Sequence, residues 1–593
     1  MDSRRVAALV LFLMASTAPA RPQAGKPEWV ARSDAHARVL LELLARFDPE
    51  EASALGMAGR DEQVMDLGPR VTERKRAAMA QAKDTLEQRL AEEKDPNVRQ
   101  DLRILVDAVE EGIQDSTLHE RYLLHWVDAP QVMFLGLREL LQEDVPPERR
   151  AHALPRLRRY VGMEPGSTPL THLARARFEE GLSQPGRLGP VKPALEQAMR
   201  EAPTYVQGIR ALFTEYKLEG AEPALAALEK QVEEDARWRR EVVLPRARED
   251  VRLPPELYAF KLRQMGIDLP PEQLVRRAQV AFVELRAQMA ALAPLVAKAR
   301  RLPATDTMGV LRALKKEQLG RERLEGHYRE VLGELEKSIT KHRVVELPSR
   351  PVVMRMASEA ESAAHPAPYM QLPDFVGGSG KPGQFVLSLG SSKAGGQNGP
   401  SDDFSFGAAA WGLSAHEGRP GHELQFAAMM ERGVSLARSL FAFNSVNVEG
   451  WALYAEAEML PYEPLDGQFI TLQFRLVRAA RAMLDPMLNL GQISPEEALR
   501  ILTEQVGLSV PLARQEIDRY TSRSPGQAGS YFYGYTRLLE LRAETELALG
   551  TKFDRLAFNT FLVHQGLLPP ELLARAVREE FIPSVLAPRV PGK

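Results

Sequence analysis

The seven residues His416-Glu417-Gly418-Arg419-Pro420-Gly421-His422 carry two imidazoles and a carboxylate. A further acid, Glu449, follows 27 positions after the second His (449 − 422), in Glu449-Gly450-Trp451-Ala452-Leu453-Tyr454-Ala455-Glu456. Two His and a downstream Glu, with another Glu beside the first His, make up the donor set of a catalytic zinc site. Such a site takes three protein ligands, leaves a fourth position open and uses a nearby carboxylate as base. The expected ligands are His416, His422 and Glu449, with zinc as the metal and Glu417 as the general base.

The spacing constrains the backbone. In a His-Glu-x-x-His helix the two rings sit one turn apart and share a face. Six residues of regular helix instead rotate by about 600°, leaving the rings some 120° apart, and Pro420 would remove a helical hydrogen bond. A straight helix therefore cannot build the site. Gly418 suits the end of one helix and Pro420 the start of the next, which would fold His422 back toward His416. A kinked single helix is the alternative. Glu449 and Glu456 are seven apart, on one helix face but about 10.5 Å apart along the axis. Only one of them should reach the metal. Glu449 is assigned there, leaving Glu456 to the second shell, to the substrate cleft, or as an ordinary helix-end charge.

Helices must position these groups. Apolar residues recur at three- and four-residue intervals over 34–46, 77–90, 98–113, 193–213, 221–243 and 271–299, the pattern of amphipathic helices. After the site the same texture covers 404–417, 420–431, 445–460, 468–490, 495–506, 511–521, 526–549 and 570–579. Proline and glycine clusters separate the runs. Between 348 and 401 Pro, Gly and Ser dominate around one strand-like run, 383–390, with a Gly-rich loop over 395–400. A lone strand needs a partner, so a small sheet or hairpin is expected, and an edge strand there could pair with a peptide. The fold class expected is mainly α: a large, two-lobed helical body with a small β element near the metal. The regions are 1–20, 21–300 and 301–593, the last carrying the zinc site, joined as one bilobal unit.

The 593 residues include no cysteine, which excludes disulfides, thiolate ligands, a Cys nucleophile and a lipidated Cys within this sequence. The formal net charge is −3 and there is no long basic run, so a nucleic-acid partner is not expected. Residues 1–20 read as a signal peptide: Arg4 and Arg5, an apolar segment, then Ala18-Pro19-Ala20. No other stretch reads as membrane-spanning, so the expectation is an exported protein, periplasmic or extracellular, without stable membrane insertion. The nine remaining His are scattered without ligand spacing and read as surface or core residues.

The motifs together resemble a bacterial family known as domain of unknown function 885, grouped with gluzincin-like metallopeptidases. The likeness rests on His416-Glu417-x-x-Pro420-Gly421-His422-x-x-Gln425 and Glu449-Gly450-Trp451-Ala452-Leu453-Tyr454-x-Glu456. It extends to Phe47-Asp48-Pro49, Ala54-Leu55-Gly56, Pro525-Gly526-Gln527-Ala528-x-Ser530-Tyr531-x-x-Gly534, Leu541-Arg542 and Leu549-Gly550-x-x-Phe553-Asp554. The resemblance implies zinc-dependent hydrolysis of short peptides. It also implies Tyr531 as donor to a developing oxyanion, Arg542 as holder of a substrate carboxylate, and Gln425 in the second shell. The plainer alternatives are a core aromatic for Tyr531 and pairing with Glu540 or Glu546 for Arg542. The sequence departs from the family pattern at Glu423, Asn489 and Asn559, where His is usual. These departures motivate two rival readings: an inactive exported peptide-binding or scaffold protein, and a zinc hydrolase of non-peptide amides or esters.

Overall fold

Apolar residues spaced at helical intervals bury one face of each helix, and most of the chain is built from such helices. The computed structural model describes residues 27–143, 145–365, 367–376, 382–389 and 401–587. The expected signal peptide and the 395–400 loop lie outside these residues.

Three N-terminal helices, α1 (Glu28–Phe47), α2 (Val71–Glu92) and α3 (Pro96–Tyr122), share a core of Ala37, Leu40, Leu86, Leu102 and Leu105. Asp95 caps α3 by accepting from the backbone N–H groups of Asn97 and Val98. The fully buried Asp101 accepts from Ser33 at 2.6 Å, Ser435 at 2.6 Å and Arg438 at 2.7 Å. These bonds tie the N-terminal helices to the segment following the His416–His422 motif. A second cluster gathers α4 (Ala129–Arg138), α5 (Lys192–Glu215) and α6 (Glu222–Trp238) around Phe134, Tyr205 and Leu228.

The largest core runs across residue 300. In it α7 (Pro271–Arg300) packs along α12 (Leu465–Asn489). Between them in sequence come α8 (Arg321–Lys341), α9 (Ala409–Leu413), α10 (His422–Arg432) and α11 (Ser445–Met459). After them come α13 (Val510–Asp518), α14 (Ser530–Leu549) and α15 (Arg555–His564). By length and composition α7 could cross a membrane, which corrects the expectation that no stretch past the signal segment could. Its inner face, including Leu274, Ala278, Leu285 and Met289, is buried in the core, while Val280, Val283 and Leu295 are exposed.

The β element is a three-stranded mixed sheet of β1 (Met354–Met356), β2 (Tyr369–Gln371) and β3 (Gln384–Leu387), ordered β1-β3-β2. β1 runs parallel and β2 antiparallel to β3. The strand legible in the sequence is therefore the central strand, not an edge. Its four residues are all buried, as expected of a strand covered on both faces. The edge strand β2 packs beside the turn that carries His416 and Glu417.

Candidate metal centre

The six-residue interval is solved by a widened turn and a fold-back. After α9 the chain makes a π-helical turn over Ser414–Gly418, then extends at Arg419 (φ −120°, ψ 130°). The Arg419–Pro420 peptide is cis, and α10 begins at His422 with Gly421 preceding it. Pro420 thus lies in the link, two residues ahead of the helix it was expected to open. A Cβ on Gly421 would sit 1.9 Å from the His416 carbonyl oxygen and 2.4 Å from that of Ala415, so only glycine lets the link pass this close. Trp451 fastens the link by donating from Nε1 to the carbonyls of Pro420 at 3.0 Å and Gly421 at 3.3 Å.

This path turns both imidazoles to one point. Glu449 Oε2 lies 3.2 Å from His422 Nε2 and 3.5 Å from His416 Nε2. Ligand atoms about 2.0–2.1 Å from a tetrahedral zinc are separated by ~3.3–3.4 Å, so the spacing fits a metal held by these three groups. Ligand atoms of His416, Glu417 and His422 also lie within 4.8 Å of one another, the one such group of three among the described residues. Glu449 is the better third ligand, because Glu417 comes no nearer than 4.0 Å to His416 while Glu449 approaches both rings.

The two carboxyls differ electrically. Burial pushes the Glu417 carboxyl up to about 7, with His422 opposing the rise and Glu449 adding to it. Burial also acts to raise Glu449, but the hydrogen bonds of His416 and His422 outweigh it and hold that carboxylate well below its usual range. Neighbouring carboxyls driven apart in this way suit one to a charged, liganding role and the other to proton exchange.

Glu456 is an interior residue, not a helix-end charge. It is fully buried, and its Oε1 lies 2.7 Å from His416 Nδ1 and 3.3 Å from Arg478 Nη2. The seven-residue spacing therefore places Glu449 and Glu456 at opposite nitrogens of one imidazole. A carboxylate behind a ligating His fixes its tautomer and ring orientation.

Tyr531, buried at the start of α14, stacks its ring on His416 with centroids 6.0 Å apart and planes 13° apart. Its hydroxyl accepts from Arg519 Nη2 at 2.9 Å, leaving the phenolic proton free to be donated. Burial raises its pKa, which keeps the phenol protonated. Arg481 lies 4.7 Å over the ring and is itself held bidentately by Glu516 at 2.7 and 2.6 Å. Tyr531 reaches the site because α11 and α14 cross where Gly450 meets Gly534. A Cβ on Gly534 would lie 2.0 Å from the Val446 carbonyl oxygen and 2.7 Å from the Gly450 Cα.

Arg542 is not part of this arrangement. It lies 11 residues beyond Tyr531 on α14, about 16 Å along the axis. There it pairs with Glu458, with Glu546 at 2.7 Å and with the Tyr454 hydroxyl at 2.9 Å. Gln425 lies near the centre but joins α10 to α11, donating to Asn447 Oδ1 at 3.0 Å. The three positions that depart from the family pattern are engaged elsewhere. Glu423 pairs with the buried Arg419 at 2.6 Å, Asn489 donates to Asp485 and to the Tyr520 carbonyl, and Asn559 bonds Tyr454 and the Val344 carbonyl.

Sequence reasoning missed Arg478, Arg519 and the clasp by Trp451. The available signal for the first was Arg478-x-x-Arg481 on one face of a largely buried helix. For Trp451 it was proximity to Glu449.

Residues 49–577 match the family described as "Bacterial protein of unknown function (DUF885)". The chain belongs to this family. Two solved structures share its fold. The first is "the putative lipoprotein from Colwellia psychrerythraea", with TM-score 0.71 and 19% identity over 94% of this chain and 100% of that one. The second is "a putative lipoprotein of unknown function from Shewanella oneidensis", with TM-score 0.67 and 19% identity over 93% and 100%. No curated protein matches the chain. Every residue of the centre, from His416 to Tyr531, falls inside the DUF885 span.

Proposed function

We propose that this DUF885 member is an exported, zinc-dependent peptidase acting on short peptides. The observation that carries the reading is the convergence of His416 Nε2 and His422 Nε2 on Glu449 Oε2, at 3.5 and 3.2 Å, with Glu417 beside them. The basic, apolar start of the sequence supports export, as does likeness to proteins described as lipoproteins, although this sequence has no Cys to carry a lipid.

His416, His422 and Glu449 would hold the metal, which when bound supplies Lewis acidity and lowers the pKa of water toward ~7. Glu417 receives the proton of the attacking water and passes it to the leaving amine. Its place beside His416 and His422 suits it to both transfers. Tyr531 donates its phenolic proton in a hydrogen bond to the oxygen that gains charge during attack, while Arg519 fixes the phenol from behind. Glu456 keeps the His416 ring in place.

Glu417→Gln keeps the shape and removes the base. Peptide cleavage, followed by mass spectrometry on a mixed peptide library, should fall by at least a hundredfold while metal content is unchanged. Cleavage at the parent rate in that variant contradicts the mechanism. A library left intact by the parent enzyme, alongside hydrolysis of simple esters or non-peptide amides, would transfer the site to the other hydrolase reading.

A further inference from the structure

Behind Tyr531, three guanidiniums gather. Arg478 faces Glu456, and Arg481 takes both oxygens of Glu516. Arg519 approaches Glu516 only at 3.7 Å. Its one hydrogen bond among the described residues is to the Tyr531 hydroxyl. A guanidinium carries five N–H donors in a planar fork, so most of this one's capacity is unspent. It is also the accessible member of the three: its side chain is 26% exposed, against 10% for Arg481 and 9% for Arg478.

Arg519 and His416 flank the Tyr531 phenol, one 2.9 Å from its oxygen and the other 6.0 Å away between ring centroids. A carboxylate on Arg519 would therefore lie beside the phenol that also stacks on His416.

We infer that Arg519 anchors the C-terminal carboxylate of the substrate, so that the enzyme acts at free peptide C-termini. The inference rests on the peptidase reading for its catalytic half. The anchoring half stands on the N–H donors that Arg519 keeps beyond its bond to Tyr531, since a guanidinium fork matches a carboxylate bidentately.

The test is calorimetric binding of tetra-alanine, as free acid and as C-terminal amide, to the zinc-loaded Glu417→Gln protein. The free acid should bind about 10- to 100-fold more tightly than the amide, the range expected for a charge-assisted, bidentate contact. Adding Arg519→Met should shrink that difference below about threefold, and Arg519→Lys should restore part of it. Equal binding of acid and amide to the parent overturns the anchor, and so does a difference that survives Arg519→Met. An amidated tetrapeptide with an internal Glu that binds as tightly as the free acid overturns the terminal assignment. Should Arg519→Met fail to fold, the acid-to-amide ratio of the parent and of Arg519→Lys still decides. Carboxylate-dependent binding without any turnover by the wild-type protein would sink the peptidase reading and leave the anchor standing.

Discussion

Replacing Gly534 by Ala probes the crossing that brings Tyr531 to His416. The added Cβ would meet the Val446 carbonyl oxygen at 2.0 Å, the Gly450 Cα at 2.7 Å and the Val446 carbonyl carbon at 3.0 Å. All three are backbone atoms of α11 and cannot swing aside. Comfortable carbon contacts begin near 3.5 Å, so α11 and α14 must separate by about 1 Å. Overpacking of this kind costs about 1–3 kcal/mol, offset by up to ~1 kcal/mol of improved helix propensity. The functional loss should be larger than the loss of stability. Glu449 neighbours Gly450, Tyr531 lies three residues before Gly534, and a misplacement of about 1 Å can cost ~100-fold in rate. The assay pairs urea midpoints with zinc affinity and peptide turnover. Gly326→Ala serves as control: it lies inside α8 with nothing within 4 Å of its would-be Cβ, and should stabilise slightly. Gly534→Ala with an unchanged midpoint, zinc affinity and turnover would refute the reasoning.

Two further outcomes follow from the buried acids. Glu456→Gln removes the charge 2.7 Å behind His416 while keeping the shape, and should weaken zinc binding about 10- to 100-fold in a chelator competition; unaltered affinity would show that the ring needs no such support. Glu463 is held up to about 8 by burial, Thr471 opposing and Glu456 adding. Because its folded pKa exceeds the usual 4.5, its stabilising contribution is complete below about pH 4.5 and is lost as pH rises through 8. Thermal midpoints of Glu463→Gln should thus gain on the parent from pH 5 to 9, by up to about 1.4 kcal/mol per pH unit; parallel profiles would contradict the assignment.

Much of the helical scaffold was legible in the sequence because periodic apolar faces are a local signal. The expected 445–460 and 271–299 segments differ from α11 and α7 by one residue at one end. The break at Gly418 was legible from the clash between a six-residue interval and a 3.6-residue turn. Its form, a π-helical turn and a cis link, was not, since either a kinked helix or two helices would satisfy that spacing. β1 and β2 span three residues each, too few to show alternation, so the central place of the visible strand could not be read. Glu456 had two readings open because helical spacing gives its height but not the ring lying between it and Glu449. Arg519 was hidden for a similar reason: its partner Tyr531 comes from another helix, and only packing reveals a guanidinium left with spare donors. Arg542 illustrates the reverse, a residue singled out by resemblance whose charge is spent on Glu458 and Glu546.

The central claim is that His416, His422 and Glu449 hold one metal ion. Elemental analysis of the purified mature protein beside its His422→Ala variant tests it most directly. About one zinc per chain is expected in the parent and none in the variant, with both remaining folded. A parent that carries no metal and takes up none on addition of zinc would contradict it, as would a variant that retains its full complement.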